Sequence, residues 1–257
     1  MRITVLGGCG AWPAAGQACS GYLVEHGGFR LLIDPGYATL PRLLEHTTAE
    51  EVDAVFVSHG HPDHCADLNP LLRARALQDR PPPPLPVFAQ PGSVDAVLAL
   101  DRPPMLAGAH VLHGFTAGSS FEIGPFRAET RLLPHFVPNA GVRLTARGRA
   151  SDLVLTYTGD TGPSPEVVGL ARRSDVLLAE ATHVDEVPEP DARYLTSARQ
   201  AGRQAADADV GWLVLTHLWP GTEPASARAA AREAFPGRIE IAKGGLVLDP
   251  ECASGSP

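Results

Sequence analysis

Short apolar runs bounded by glycine, proline or aspartate recur along the chain and alternate with amphipathic stretches. The first run, 2–6, reads as a strand rather than as the core of a signal peptide, for which it is too short. Runs at 20–25 and 29–34 flank Gly27-Gly28, which is a hairpin signal. The β-branched segment 52–57 predicts a buried strand. Residues 40–46, 68–77 and 94–100 carry helical spacing, with a strand at 87–89 after the rigid proline connector 81–84. Short strands are expected at 110–113, 119–123, 126–133, 142–144 and 153–157. A helix at 165–171, a strand at 175–179, an Ala-rich helix at 194–206 that is interrupted by Gly202, and a strand at 212–217 follow. The helix 224–235 and the strands 239–241 and 246–248 close the pattern. These elements divide into two comparable halves of one α/β domain, 1–250, with 251–257 expected as a disordered tail.

The segment from Ser58 to Cys65 reads S-H-G-H-P-D-H-C. His59, His61, Asp63 and His64 fall in six consecutive positions directly after a predicted strand. Proline at 62 argues against a regular helix or ladder through the cluster, so the side chains are expected on a strand-end loop. Imidazole and carboxylate are natural ligands of zinc and related divalent ions. The His59-x-His61 alternation can aim two rings at one point, while Asp63-His64 turns toward another. Other strand ends carry His135 after 126–133, Asp160 within Thr158-Gly159-Asp160-Thr161-Gly162, and His217 at the end of 212–217. His110 and His113 lie inside a strand pattern and are read as structural. The turn Gly7-Gly8-Cys9-Gly10 is followed by no helix pattern, so it is not a P-loop.

Composition narrows the class. The 257 residues are 44% hydrophobic and 19% charged, as in a soluble globular protein. A net charge of −8 argues against a broad nucleic-acid surface. No apolar run reaches membrane-spanning length. Four cysteines without zinc-ribbon spacing or a secretion signal point to reduced thiols and a cytoplasmic setting. Cys65 is read as a buried neighbour of the histidine cluster.

His59-Gly60-His61-Pro62-Asp63-His64 resembles the H-x-H-x-D-H signature of the metallo-β-lactamase superfamily, and further motifs of that family recur in order. The resemblance implies an αββα four-layer sandwich with ligands on loops along one edge. It implies two divalent metal ions, zinc first, with manganese or iron suited to the same donors. His59, His61, His135 and Asp160 would hold one ion, and Asp63, His64, His217 and the bridging Asp160 the other. Asp34-Pro35-Gly36 matches the family's first motif, in which the aspartate braces the metal loop rather than binding metal. Asp67 stands where the family usually has glycine; it is read either as a partner of a liganding histidine or as a helix N-terminal charge.

The bridging aspartate, the Glu180-Ala181-Thr182 segment and Leu215-Thr216-His217 resemble the ribonuclease Z-like branch, which includes tRNA 3′-end endonucleases and small cyclic-nucleotide phosphodiesterases. The run Asp63 to Leu68 is more similar to the latter. The stretch between His135 and Asp160 has room only for a hairpin, not for an inserted tRNA-gripping arm. Tyr194 replaces a histidine that the branch pairs with its glutamate, so Glu180 and His183 are expected to act as the acid pair, with Asp63 counted among both ligands and catalytic residues. The expectation is a cytoplasmic, homodimeric phosphodiesterase acting on cyclic nucleotides or other small phosphodiesters through a metal-bridging hydroxide. RNA is the less favoured substrate and no membrane partner is expected. Two other readings stay open: a tRNA 3′-end endonuclease, and a lactonase or thioesterase using the same ions.

Overall fold

The computed structural model describes residues 1–148 and 151–253. The chain forms two compact units, one comprising Arg2–Thr116 with Lys243–Val247, the other Met1, Ala117–Ala242 and the segment from Leu248 on.

The first unit is built on a seven-stranded sheet. Strands β1 (Arg2–Gly7), β2 (Gly21–His26) and β3 (Phe29–Ile33) form an antiparallel meander. Gly27 and Gly28 close the β2–β3 hairpin with φ of 59° and 88°, the pair of left-handed residues a tight hairpin turn requires. Helix α1 (Thr39–Leu43) follows, and then β4 (Ala54–Phe56). The chain continues through α2 (Pro62–Cys65), α3 (Leu68–Ala76), β5 (Leu85–Ala89), α4 (Asp95–Leu98), α5 (Pro103–Leu106) and β6 (His110–Gly114). Strands β3 to β6 are parallel neighbours. On α3, Leu68, Leu71 and Leu72 recur at helical spacing and pack with Leu32, Val55 and Val87 of the sheet. Each such buried leucine is worth about 1.5–3 kcal/mol. The proline connector is pinned: Arg75 of α3 donates to the carbonyls of Pro83 at 2.8 Å and Ala49 at 2.7 Å. The one-turn helix α5 carries no sequence signal beyond its leading prolines and was not predicted.

The second unit holds the other seven-stranded sheet. Strands β7 (Ser120–Ile123), β8 (Phe126–Leu133), β9 (Asn139–Arg147) and β10 (Asp152–Tyr157) are antiparallel in turn. After α6 (Pro165–Ala171), strand β11 (Val176–Glu180) lies parallel to β10. Helix α7 (Ala198–Asp207), β12 (Trp212–Thr216), α8 (Pro224–Arg232) and β13 (Arg238–Ile241) complete the parallel half. The N-terminus of α7 is a capping box between Ser197 and Gln200. Its interrupting Gly202 has a packing cause, since a Cβ there would overlap the carbonyl of Ala231 on α8. The alanines of α7 and α8 let the two helices approach closely over one core. Strand β14 (Val247–Leu248) lies beside β1. The tail expected from 251 instead begins with α9 (Pro250–Ala253); residues 254–257 lie outside the described residues.

Both sheets obey one rule that matters for chemistry. Neighbouring parallel strands end at the same edge, so residues just past β3 and β4, or past β10, β11 and β12, emerge side by side. Because β8 is antiparallel to β9 and β9 to β10, the end of β8 shares that edge as well.

Candidate metal centre

In the first unit the donors sit directly after β4. His59 and His61 lie on the loop, as expected. Asp63 and His64 do not, because Pro62 starts the one-turn helix α2 instead of preventing it. At the first helical position proline lacks only an N–H that would be unused there, and its fixed φ suits the turn. The helix projects Asp63 and His64 from consecutive positions, bringing His64 Nε2 to 3.5 Å from Asp63 Oδ2.

Asp34, one residue past β3, braces this loop. Its Oδ1 accepts from the Ser58 amide at 2.7 Å, and its Oδ2 accepts from the Ser58 hydroxyl at 2.6 Å and from His64 Nδ1 at 2.8 Å. Asp34 is fully buried and holds a left-handed φ of 48°. The Ser58 hydroxyl gives its proton to Asp34, so it can only accept from His59 Nδ1, 3.0 Å away. That fixes the proton of His59 on Nδ1 and its lone pair on Nε2. His59 Nε2 and His61 Nδ1 converge to 3.1 Å, close to the separation of about 3 Å that two nitrogens take on one zinc ion. Asp63 Oδ2 accepts from the Ala11 amide at 2.8 Å, which gives the glycine-rich turn after β1 a positioning task.

Two sequence readings resolve here. Cys65 is a buried neighbour: its thiol donates to the His61 carbonyl at 3.3 Å, and burial first, then the Asp34 charge, pushes it up to about 12. Asp67 meets no histidine. Its Oδ2 accepts from the Leu40 amide at 2.7 Å, capping the start of α1. The alternative of a helix N-terminal charge holds: Asp67 occupies the N-cap position of α3, while its side-chain bond goes to the start of α1.

In the second unit His135 follows β8, Asp160 follows β10 and His217 follows β12. Asp160 Oδ2 lies 3.1 Å from His217 Nε2 and 3.7 Å from His135 Nε2, so the three donors converge. Asn139 pins the Asp160 loop by donating to the carbonyls of Thr158 at 2.9 Å and Asp160 at 2.7 Å. The tautomers are again locked. His135 Nδ1 donates to the Tyr194 carbonyl at 3.0 Å. The Thr182 hydroxyl donates to Glu180 Oε1 at 2.6 Å and therefore accepts from His217 Nδ1 at 2.9 Å. Each nitrogen that carries the proton is held, and each lone pair sits on Nε2, the arrangement that surrounding groups impose on metal-binding imidazoles. His217, like Asp34, holds its place with a left-handed φ, 57°.

Glu180 and His183, expected as the acid pair, each have partners of their own. Glu180 ends the wholly buried β11, and its oxygens accept from the amides of Thr161 and Thr196 and from the Thr182 hydroxyl. Burial first, then the charge of Asp160, raises its carboxyl to about 8. The His183 ring lies against Trp219 with centroids 6.2 Å apart, and burial lowers its pKa. Sequence reasoning passed over Ser58, Asn139 and Thr182, which hold the donors. The hydroxyls of Ser58 and Thr182 stood inside motifs already singled out; Asn139 carried no local signal.

The donor chemistry and the fold define a class. The model of the beta-lactamase superfamily domain family matches residues 29–218, and the chain belongs to the metallo-β-lactamase superfamily as a metal-dependent hydrolase. Among its relatives is YhfI of Bacillus subtilis, named a probable metallo-hydrolase, which is 30% identical over 97% of this chain and 100% of its own. The crystal structure of YhfI matches with a TM-score of 0.85 over 96% of this chain and 98% of that one. The αββα sandwich class expected from the resemblance is the fold of that protein. A ribonuclease Z of Kineococcus radiotolerans is 30% identical over 90% of this chain and 89% of its own. The short form of human tRNase Z, 20% identical, shares the fold with a TM-score of 0.74 over 97% of this chain and 99% of its own. Among the described residues, no helix is long and apolar enough to cross a membrane.

Proposed function

We propose, from the ligand pattern of the metallo-β-lactamase superfamily, that the chain holds two divalent ions, with His59, His61, His135 and Asp160 around one and Asp63, His64, Asp160 and His217 around the other, and that the protein is a phosphodiesterase of small substrates, cyclic nucleotides foremost. The observation that carries the metal reading is the set of four locked imidazoles. Ser58, Asp34, the Tyr194 carbonyl and Thr182 each hold one Nδ1, leaving the Nε2 lone pairs of His59, His64, His135 and His217 for a cation. Zinc suits these donors first, with manganese and iron compatible.

When bound, such ions lower the pKa of a water and polarise a phosphoryl oxygen. The chain's own residues do the rest. Asp160 would hold both ions with its one carboxylate and offset their repulsion. Asn139 fixes the loop from which it projects. Asp34 and Ser58 hold the first donor loop, and Glu180 acts through Thr182 on His217 as a positioning residue rather than as an acid. Asp63 keeps its assignment as ligand, steadied by the Ala11 amide.

Phosphorus is favoured over a carbonyl carbon by the ribonuclease Z relatives, whose substrate is a phosphodiester. The same relatives support a second reading, an RNA 3′-end endonuclease. Against it stand the short β9–β10 connection and the charge of −8.

The test is turnover by metal-reconstituted protein of 3′,5′-cyclic AMP, bis-p-nitrophenyl phosphate, an acyl lactone and a tRNA precursor. Cyclic AMP hydrolysis that disappears in Asp160→Ala supports the proposal. Precursor cleavage alone would make the second reading correct, and lactone turnover with inert diesters would overturn both.

A further inference from the structure

His135 also lines a cavity of about 480 Å³ whose other walls include Leu132, Pro134, Phe136, Pro138 and Ser164. The proposed metal chemistry makes no use of it. The Phe136 ring stands next to the donor histidine and is held on two sides, tilted against Tyr194 at a centroid distance of 4.7 Å and meeting His135 edge-on at 5.2 Å. Even so it is 51% exposed, and neighbouring Leu132 is 59% exposed. A large ring that is both held in place and open to solvent is a prepared stacking surface, with little entropy left to lose on binding. Tyr194 serves twice: its carbonyl orients His135 and its ring supports Phe136. The orientation of the donor and of the platform is thereby set by one residue.

Resting on the phosphodiesterase reading, we propose that this cavity seats the planar base of the substrate, so that the substrate class is a nucleotide diester and not a simple alkyl one. The volume lies in the range that encloses a ligand of nucleoside size. The walls present ring faces and aliphatic surface, and among the residues named only the Ser164 hydroxyl and the His135 ring add side-chain hydrogen-bonding groups. Ser164 already accepts from the Glu166 amide at 3.2 Å and keeps its own proton to donate. Faces without edge-reading groups stack every base, so purines are favoured over pyrimidines by ring area and one purine is barely distinguished from another.

The experiment has two arms. In the first, kcat/KM of the metal-loaded enzyme is measured for 3′,5′-cyclic AMP and for the 3′,5′-cyclic phosphate of 1-O-methylribose, which lacks a base. The ratio of the two values should fall about tenfold in Phe136→Ala, should also fall in Phe136→Leu, which keeps an apolar side chain without a ring, and should be restored by Phe136→Trp. In the second, calorimetry compares AMP with ribose 5-phosphate. Wild type should bind AMP about tenfold more tightly, and Phe136→Ala should lose that preference. A wild type that does not distinguish the two ligands, or a preference that survives in both Phe136→Ala and Phe136→Leu, overturns the base seat. If AMP is preferred while no phosphodiester is hydrolysed, the base seat stands and the phosphodiesterase reading falls. If both cyclic phosphates are hydrolysed with equal kcat/KM, the reverse holds.

Discussion

The Thr182 hydroxyl lies 2.9 Å from His217 Nδ1, and it can only accept there because its proton is committed to Glu180 at 2.6 Å. A buried acidic side chain thereby decides which nitrogen of His217 faces Asp160. Thr182→Val keeps the shape and deletes the relay. Metal affinity should fall about 10–100-fold, read by competition with a chromophoric chelator, and Thr182→Ser should recover most of it. Unchanged affinity in the valine variant would remove the relay from the account.

Asp34 ties the loop after β4 to helix α2, since Ser58 and His64 both donate to it. In Asp34→Asn one oxygen becomes an amide that faces donors. Each buried group left unmatched costs about 1–3 kcal/mol, so the melting temperature should drop by several degrees and metal binding should weaken with it. A variant that melts like wild type would show the brace to be dispensable.

Gly36 lies against the α2 backbone, where a Cβ would overlap the carbonyl of Asp63. Gly36→Ala must push that helix aside, at about 1–3 kcal/mol, and Asp63 moves with it. The expected result is lower thermal stability together with a loss of metal stoichiometry. Full stoichiometry in a folded Gly36→Ala protein would contradict the close approach.

Burial raises the pKa of Asp67, and its bond from the Leu40 amide opposes that only in part. A carboxyl whose folded pKa lies above its unfolded value of about 3.9 binds protons more readily in the native state. Its contribution is therefore present below that value and is lost as pH rises through the folded pKa. Asp67→Asn keeps an acceptor for Leu40 and removes the titration. As pH rises above about 4, wild type should lose more stability than the variant does, measured by thermal melts in matched salt.

Divalent ions that bind the native state alone should raise the melting temperature, with a stabilisation of about 2.7 kcal/mol at a hundredfold excess over Kd. Titration of the chelated protein with zinc tests this, and Asp160→Ala should show a smaller shift. Equal shifts in both proteins would dissociate Asp160 from the ions.

The sequence was most readable where chemistry is local. The Gly27-Gly28 hairpin, helix α6 and the strand-end placement of His135, Asp160 and His217 follow from neighbouring residues alone. Asp34 was identified as a brace because its motif carries that role. Pro62 misled, because the same residue that blocks a helix interior opens a helix at its first position. The partners of Asp67 and Glu180 were hidden for another reason: Leu40 and the amides of Thr161 and Thr196 are backbone groups far along the chain. The Tyr194 carbonyl on His135 is the extreme case, since a main-chain oxygen leaves no trace in residue identity.

Asp34 and His217 share one further trait with a practical outcome. Both sit just past a strand in a left-handed conformation, φ 48° and 57°, which costs a non-glycine residue on the order of 1 kcal/mol. Anyone screening this chain for heat-resistant variants will find glycine attractive at both positions, because the backbone relaxes. Those same variants would lack a brace or a ligand, so selection on melting temperature alone would enrich proteins that no longer retain their ions.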